Sequence, residues 1–438
     1  MHRKGTKNVE RKKLTVAIAG LGHRGKDIYA YGTKKFPDLI EITAIADTDP
    51  ERVKLVAEEF GICEEYCFSS AEEMIAHEKL ADAMFICTQD RQHVRQAIPA
   101  LEKGYDLLLE KPISPDLSEC REIIKVAKRC GRKVLVSHVL RYTVFYQELK
   151  KLLDEKKIGE IISIQASENV GYWHQAHSFV RGNWNNSDVT SPMILQKCCH
   201  DMDILTWLTG KTCRKVSSFG SISYFKPEKA KEGTPQRCTD GCPYQKECPY
   251  DAEKIYLPNR EHGVPEEITK WFDLVLTLDP TEENIYEQLR KGPYGKCVFY
   301  SDNNVVDHQV VNMVMTDGTT INFTMCGFTH ENARYTRIMG TEGEIVANME
   351  SNRIEIYRFG YEPEVIDITK LTSDFSGHGG GDLLMLKEFI HYALGDEVRT
   401  NTITTLEQSM ESHFIAWAAE ISRLQDGAAV TLDEIRGK

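Results

Sequence analysis

Residues 14–25 read Leu-Thr-Val-Ala-Ile-Ala-Gly-Leu-Gly-His-Arg-Gly, and this stretch constrains the fold more than any other. An apolar run, Leu14 to Ala19, ends in Gly20-x-Gly22-x-x-Gly25 and leads into a helix-compatible segment. That strand–turn–helix context separates a dinucleotide-binding turn from a chance glycine pattern. Gly20 permits the tight turn, Gly22 lets a pyrophosphate approach the backbone, and Gly25 lets the helix pack closely on the strand. The helix N-terminus, with His23 and Arg24 beside it, offers free N–H groups and a positive dipole to phosphates. A second apolar run, Ile40 to Ala46, ends at Asp47, twenty-two residues after Gly25. A carboxylate there accepts from both hydroxyls of an adenosine ribose and repels a 2′-phosphate. Asp49 and Glu51 add to that negative charge, so the expected cofactor is NAD rather than NADP.

Strand-like and helix-like segments alternate as far as residue 140. Ala83–Thr88, Tyr105–Leu109 and Lys133–His138 read as buried strands, and helices closed by Gly61, Gly104 and Gly131 lie between the strands. The alternation predicts a doubly wound parallel Rossmann sheet over residues 14–140. Ligands in such sheets sit at the carboxyl ends of the strands. Those ends are Gly20–Gly25, Asp47, Thr88–His93 (with Thr88, Gln89 and His93), Glu110-Lys111-Pro112 and His138–Tyr142 (with Arg141 and Tyr142). A lysine suits that position chemically. Hydride leaving a carbinol carbon builds carbonyl character, and a nearby ammonium stabilises the developing oxyanion.

From residue 141 the pattern changes to longer strands, with Asp317-Gly318 and Glu342-Gly343 as hairpin turns and Glu344–Arg358 as one strand. The fold class is therefore α/β. Its N-terminal Rossmann domain is followed by an α+β domain over 141–438 with a large, mostly antiparallel open sheet. A helix is expected over Pro192–Leu208, which puts Lys197 and His200 on one face beside Asp201. Two helices, Asp382–Leu394 and Leu406–Leu424, end the chain. Residues 226–295 are rich in Pro, Gly, Cys and charge and read as an insertion or extended loop.

The stretch Gly171–Trp184 is dense in residue types that bind sugars. Tyr172, Trp173, His174, His177, Arg181 and Trp184 combine flat apolar faces with polar tips, matching the two faces of a pyranose. The alternative is a loop whose aromatic side chains seal a domain interface. Cys238, Cys242 and Cys248 form C-x3-C-x5-C in the insertion. They read either as a small structural metal site, with zinc the expected ion and Cys213, Cys297 or His262 as fourth ligand, or as reduced thiols.

The 438 residues suit two domains better than one core. With 41% hydrophobic and 27% charged residues the chain reads as a soluble globular protein. Its net charge of −12 argues against a nucleic-acid partner. No apolar run approaches membrane-spanning length, and residues 1–13 read as a solvated basic tail. Thirteen cysteines, an odd number, do not suggest a disulfide framework, so a cytoplasmic protein with reduced thiols is expected.

A Rossmann half followed by Glu110-Lys111-Pro112, and then by an antiparallel-sheet domain whose helix carries His200-x-x-Asp203, resembles the Gfo/Idh/MocA oxidoreductases. The resemblance covers the chain except the basic tail and residues 226–295. It implies NAD(P) in the first domain, a sugar, cyclitol or sugar derivative as substrate, and a homo-oligomer, either dimer or tetramer. It places Lys111 beside the nicotinamide and the reacting hydroxyl, Glu110 by the nicotinamide ribose, and a cis bond between Lys111 and Pro112. His200 becomes general base or substrate ligand, with imidazole suited to the role by its near-neutral pKa. The sequence departs from the family four residues before this histidine, where Gln196 replaces an aspartate. Lys197 then either takes over as acid or binds an anionic substrate group, and Arg141 and Tyr142 join the substrate contacts. The resemblance leaves three activities open: NAD-dependent oxidation of a ring hydroxyl, glycoside cleavage by transient oxidation with retained NAD, and non-catalytic sensing of sugar or NAD.

Overall fold

The computed structural model describes residues 13–258, 260–399 and 402–437; the basic stretch before Lys13 lies outside them. Each strand of the first sheet is a short apolar run: β1 Leu14–Ala19, β2 Ile40–Ala46, β3 Cys67–Phe68, β4 Ala83–Ile86, β5 Asp106–Leu109 and β6 Val134–Val136. All pair in parallel, in the order β3-β2-β1-β4-β5-β6. This is the doubly wound order whose reversal beside β1 opens a crevice for a dinucleotide. Local chemistry sets the helix ends. Asp49 and Asp116 cap Pro50–Phe60 and Leu117–Cys130, accepting from the backbone N–H of Glu51 and Ser118, and left-handed Gly61 and Gly131 close them. Asp49 is thus engaged as a helix cap.

The second sheet has nine strands: β7 Ile161–Gly171, β8 Cys213–Ser221, β9 His308–Met315, β10 Thr320–Thr329, β11 Ala333–Gly340, β12 Gly343–Asn348, β13 Arg353–Arg358, β14 Glu364–Asp367 and β15 Val430–Thr431. Their order is β14-β13-β12-β11-β7-β10-β9-β8-β15. Every pair is antiparallel except β7 with β10, so the sheet is mixed but mostly antiparallel. Asp317-Gly318 and Glu342-Gly343 fall at the β9–β10 and β11–β12 turns. The strand expected over Glu344–Arg358 is instead two strands, β12 and β13, folded back on each other in register from Gly343↔Arg358 to Asn348↔Arg353. Asn352, at a positive φ of 54°, turns the chain between them.

Two expectations change in the helices. The helix expected over Pro192–Leu208 is broken into Met193–Gln196 and Cys199–Thr209. Residues 226–295 are not an extended loop. They hold helices Ala252–Tyr256, Glu266–Leu276 and Glu282–Lys291 around an apolar cluster that includes Phe225, Tyr256, Phe272 and Leu289. Near its end the chain returns to the first sheet. Helix Gly381–Leu394 lays Met385, Leu386, Phe389 and Ile390 against Ile18, Phe85 and Leu108. Among the described residues, no helix is long and apolar enough to cross a membrane.

Candidate active site

The glycine turn has the geometry its spacing requires. Gly20 sits at φ +89°, and a Cβ on Gly25 would stand 1.8 Å from the Gly20 carbonyl oxygen, so only glycine fits there. The first atom that a Cβ on Gly22 would meet is an Arg52 nitrogen at 3.9 Å, which leaves its backbone open to a phosphate. The following segment, His23–Ala30, winds as a π-helix. Asp47 accepts from the backbone N–H groups of Leu21 (2.5 Å) and Asp49 (2.9 Å), which ties the turn to the end of β2. These residues fit a bound NAD: bare backbone for the pyrophosphate and a carboxylate for the adenosine ribose.

Arg24 turns inward, away from any phosphate. It donates to Glu110 (2.6 Å), Asp382 (2.8 Å) and the Tyr29 hydroxyl (2.7 Å). Glu110 also accepts from Tyr29 (2.5 Å) and Ser137 (2.7 Å). Burial by itself would raise the Glu110 carboxyl, but Arg24 and the two hydroxyls outweigh it and hold it at about 2. Burial likewise opposes ionisation of Asp382, yet Arg24 and His378 keep its carboxyl far below the ordinary range. Arg24 and Glu110 therefore brace the turn against β5. His93, also expected at the cofactor, is buried with one ring nitrogen 2.7 Å from the Pro112 carbonyl and the other 3.0 Å from that of Thr88. It pins two strand ends together. The Thr88 hydroxyl goes to Gln96 at 2.6 Å, while Gln89 is exposed at the end of β4. His23 pairs with Asp27 at 3.0 Å, and its ring lies 6.0 Å from Trp271. The insertion thus reaches over the mouth of the glycine turn.

Lys111 precedes a cis proline, as the family resemblance implies. Its ammonium donates to the carbonyl of Gln196 at 2.7 Å. That carbonyl lies at the break between the two helices. Because of the break, Lys197 and His200 do not share a face. Lys197 pairs with Glu168 at 3.2 Å, and Arg334 lies 2.9 Å from both Glu168 and Asp201. Burial raises the Asp201 carboxyl, with Arg334 opposing. His200 faces two other imidazoles, those of His138 (5.9 Å) and His378 (5.6 Å). It is buried, and its Nδ1 has no hydrogen-bond partner. Burial, and after it the Lys111 charge, push the His200 imidazole well below its ordinary value, so it is neutral at pH 7.

His378, Glu168, Arg334 and Asn332 are members of this cluster that sequence reasoning missed. His378 bonds Asp382 through its Nδ1 at 3.0 Å, within Ser376-Gly-His-Gly-Gly-Gly-Asp382. A histidine four residues before an aspartate in a glycine run was the available signal. A Cβ on Gly377 would stand 2.2 Å from that carboxylate, so the run is needed for the contact. Asn332 meets His174 at 3.1 Å.

Several residues expected at a substrate face elsewhere. Arg141 is buried in a two-pronged pair with Asp203, both bonds 2.6 Å. Tyr142 is buried in the first domain's core, its hydroxyl 3.4 Å from that of Thr404. His177 is sandwiched between Phe272 (4.1 Å) and Tyr294 (4.8 Å) of the insertion. Arg181 donates to the carbonyls of Lys296 and Tyr250, both at 2.7 Å. Within Gly171–Trp184, residues Tyr172–Arg181 are helical, and most of their aromatic side chains are taken up by the insertion packed on them. Trp173 stacks on His174 and meets Phe272, Tyr172 meets Tyr250, and Trp184 packs on the second domain's core. The expectation of a zinc site is not supported: among the described residues no group of three His, Cys, Asp or Glu is gathered to hold a metal ion.

The geometry can be set beside known proteins. Residues 14–138 match the model of an oxidoreductase family with an NAD-binding Rossmann fold, and residues 150–422 match that family's C-terminal alpha/beta domain. YteT of Bacillus subtilis, a protein classed among the oxidoreductases, is 23% identical over 393 residues, 85% of this chain and 87% of its own. An inositol 2-dehydrogenase of Corynebacterium glutamicum is 26% identical over 200 residues, 45% of this chain and 55% of that enzyme. The WlbA dehydrogenase of Bordetella pertussis, solved with NADH and UDP-GlcNAcA, aligns with a TM-score of 0.67 at 18% identity. That alignment covers 97% of this chain and 99% of WlbA, and it speaks for the fold alone.

Proposed function

Because the chain belongs to the Gfo/Idh/MocA oxidoreductases, we propose that it oxidises a ring hydroxyl of a sugar, cyclitol or sugar derivative. One observation carries the reading. The Lys111 ammonium, at the carboxyl end of the parallel sheet, acts electrostatically on a buried, neutral imidazole of the second domain, His200, whose Nδ1 has no hydrogen-bond partner. NAD, when bound, accepts the hydride lost from the carbinol carbon. The hydroxyl proton passes to His200, whose depressed pKa keeps it available as a base. Lys111 has three donors, of which Gln196 takes one. The other two stabilise the oxygen as it becomes a carbonyl. His174, Lys197 and Asp201 hold the remaining hydroxyls, with Glu168 and Arg334 fixing their positions. The UDP-GlcNAcA in complex with WlbA and the named activity of the inositol dehydrogenase support a polyhydroxylated ring.

The packing of Trp271 over His23 favours a second reading on the same residues. A cofactor covered by the insertion suits retention, and hence glycoside cleavage by transient oxidation, elimination and reduction. A spectrum of the purified protein and a sugar screen at the NADH absorbance band separate the two. Steady NADH from a sugar and added NAD supports the dehydrogenase. Bound NAD(H), no net NADH and a cleaved glycoside support the second reading.

Asp47 provides a cofactor test. Asp47→Ser is expected to narrow the preference for NAD over NADP by roughly 10-fold or more, since about 1.4 kcal/mol of repulsion is tenfold in binding. Titration of both nucleotides against intrinsic fluorescence measures it. An unchanged ratio of the two dissociation constants would remove Asp47 from the ribose.

A further inference from the structure

Net oxidation of a carbinol with NAD releases one proton in each turnover, and the oxidation proposed above leaves that proton on His200. The carbon-bound hydrogen departs as hydride to NAD, and the hydroxyl proton goes to the imidazole. His200 is 4% exposed, so it needs a neighbour to pass the proton on before the next cycle. Among the groups that act on it are Lys111, Arg334, His138 and His378. Lys111 and Arg334 are cations and do not accept. Asp201, next in sequence, turns to Arg334 at 2.9 Å instead. His138 leads inward. It is fully buried, and the ring beyond it, that of His413 at 6.3 Å, is locked. The His413 Nε2 accepts from the Ile113 N–H at 2.9 Å, so its Nδ1 carries the proton and donates to the Ser409 carbonyl at 2.9 Å.

His378 leads outward. Its ring lies 5.6 Å from that of His200, and its side chain is 36% exposed. Gly377 and Gly379, at φ +57° and +58°, turn the chain on either side of it. Its Nδ1 is held 3.0 Å from Asp382, which puts the N–H there and leaves the Nε2 lone pair free. We infer that His378, aligned by Asp382, is the relay that takes the proton from His200 and returns it to solvent. The arrangement is that of a base and its orienting carboxylate. Asp382 favours the transient imidazolium, while Arg24 and Lys197 disfavour it, so the proton does not stay. The inference rests on the net oxidation proposed above. Glycoside cleavage with retained NAD releases no net proton and needs no outlet.

The test uses the full chain with NAD and the substrate found by the screen. His378→Asn keeps an amide N–H for Asp382 but cannot carry a proton. Its kcat is expected to fall roughly 10-fold or more with kcat/KM near wild type, because the reset follows the chemical step. In a single turnover with a pH-indicator dye, NADH should form at the wild-type rate in His378→Asn while proton release lags behind it. Imidazole added to His378→Ala should restore kcat in proportion to its concentration. Wild-type kcat in His378→Asn overturns the relay alone. So does a joint fall in kcat and kcat/KM that imidazole does not relieve, which is the result of a purely structural role. A wild-type chain that forms no NADH with any sugar overturns the oxidation itself, and the relay with it.

Discussion

Replacing Lys111 with alanine is expected to lower turnover by roughly 10²–10³-fold while NAD affinity stays near wild type. The loss is that of one prepositioned donor at the oxygen on which charge develops. Binding is expected to be spared because the residues proposed for the phosphates and the adenosine ribose, Gly22 and Asp47, lie at other strand ends. Lys111→Arg should recover little. A guanidinium is planar and longer, and cannot place a point charge both on the Gln196 carbonyl and toward the reacting oxygen. Steady-state kinetics on the substrate found by the screen, beside nucleotide titration, measure the split. Wild-type turnover in Lys111→Ala would take the lysine out of the chemistry and leave the sensing alternative standing.

The second large effect is on stability. Arg24→Met removes the cation shared by Glu110 and Asp382, both buried, and is expected to cost about 3–5 kcal/mol. The effect depends on pH with a definite sign. Glu110 falls from 4.5 to about 2 on folding, so it binds fewer protons when folded. Its contribution, of order 3 kcal/mol, is fully present above the unfolded value and is lost as pH drops from about 4.5 toward 2. Without Arg24 both carboxyls move up, and acid unfolding begins at higher pH. Acid titration by circular dichroism reads the midpoint. Coincident curves for wild type and Arg24→Met would show that the brace contributes nothing.

The parts of the site legible in the sequence are those whose chemistry is local. The glycine turn, Asp47 and Glu110-Lys111-Pro112 each lie within a few residues of the strand that positions them, and strand periodicity finds the strands. His200 was legible too, but not its surroundings. At the helix break the Gln196 carbonyl accepts from a lysine 85 residues earlier, a contact that helical periodicity cannot register. Arg181 and His177 read as sugar ligands because their residue types fit. Their partners, Lys296, Tyr250, Phe272 and Tyr294, belong to an insertion whose own helices were masked by its proline, glycine and cysteine content. His378 escaped because its glycine-rich setting resembles a linker until Gly377 is seen against Asp382.

The return of helix Gly381–Leu394 to the first sheet bears on how the protein comes into being. Met385, Leu386, Phe389 and Ile390 are fully buried there, and burial of such a side chain contributes about 1.5–3 kcal/mol. The backbone N–H of Val136 in β6 is satisfied by Thr404. During synthesis the cofactor half therefore leaves the ribosome with one face bare. That face waits through more than two hundred residues of sheet and insertion before its cover is made. The nucleotide fold is completed among the last events of synthesis, so a chain stopped short of residue 404 lacks the cover of this sheet even though residues 14–138, which match the NAD-binding family model, have already been made.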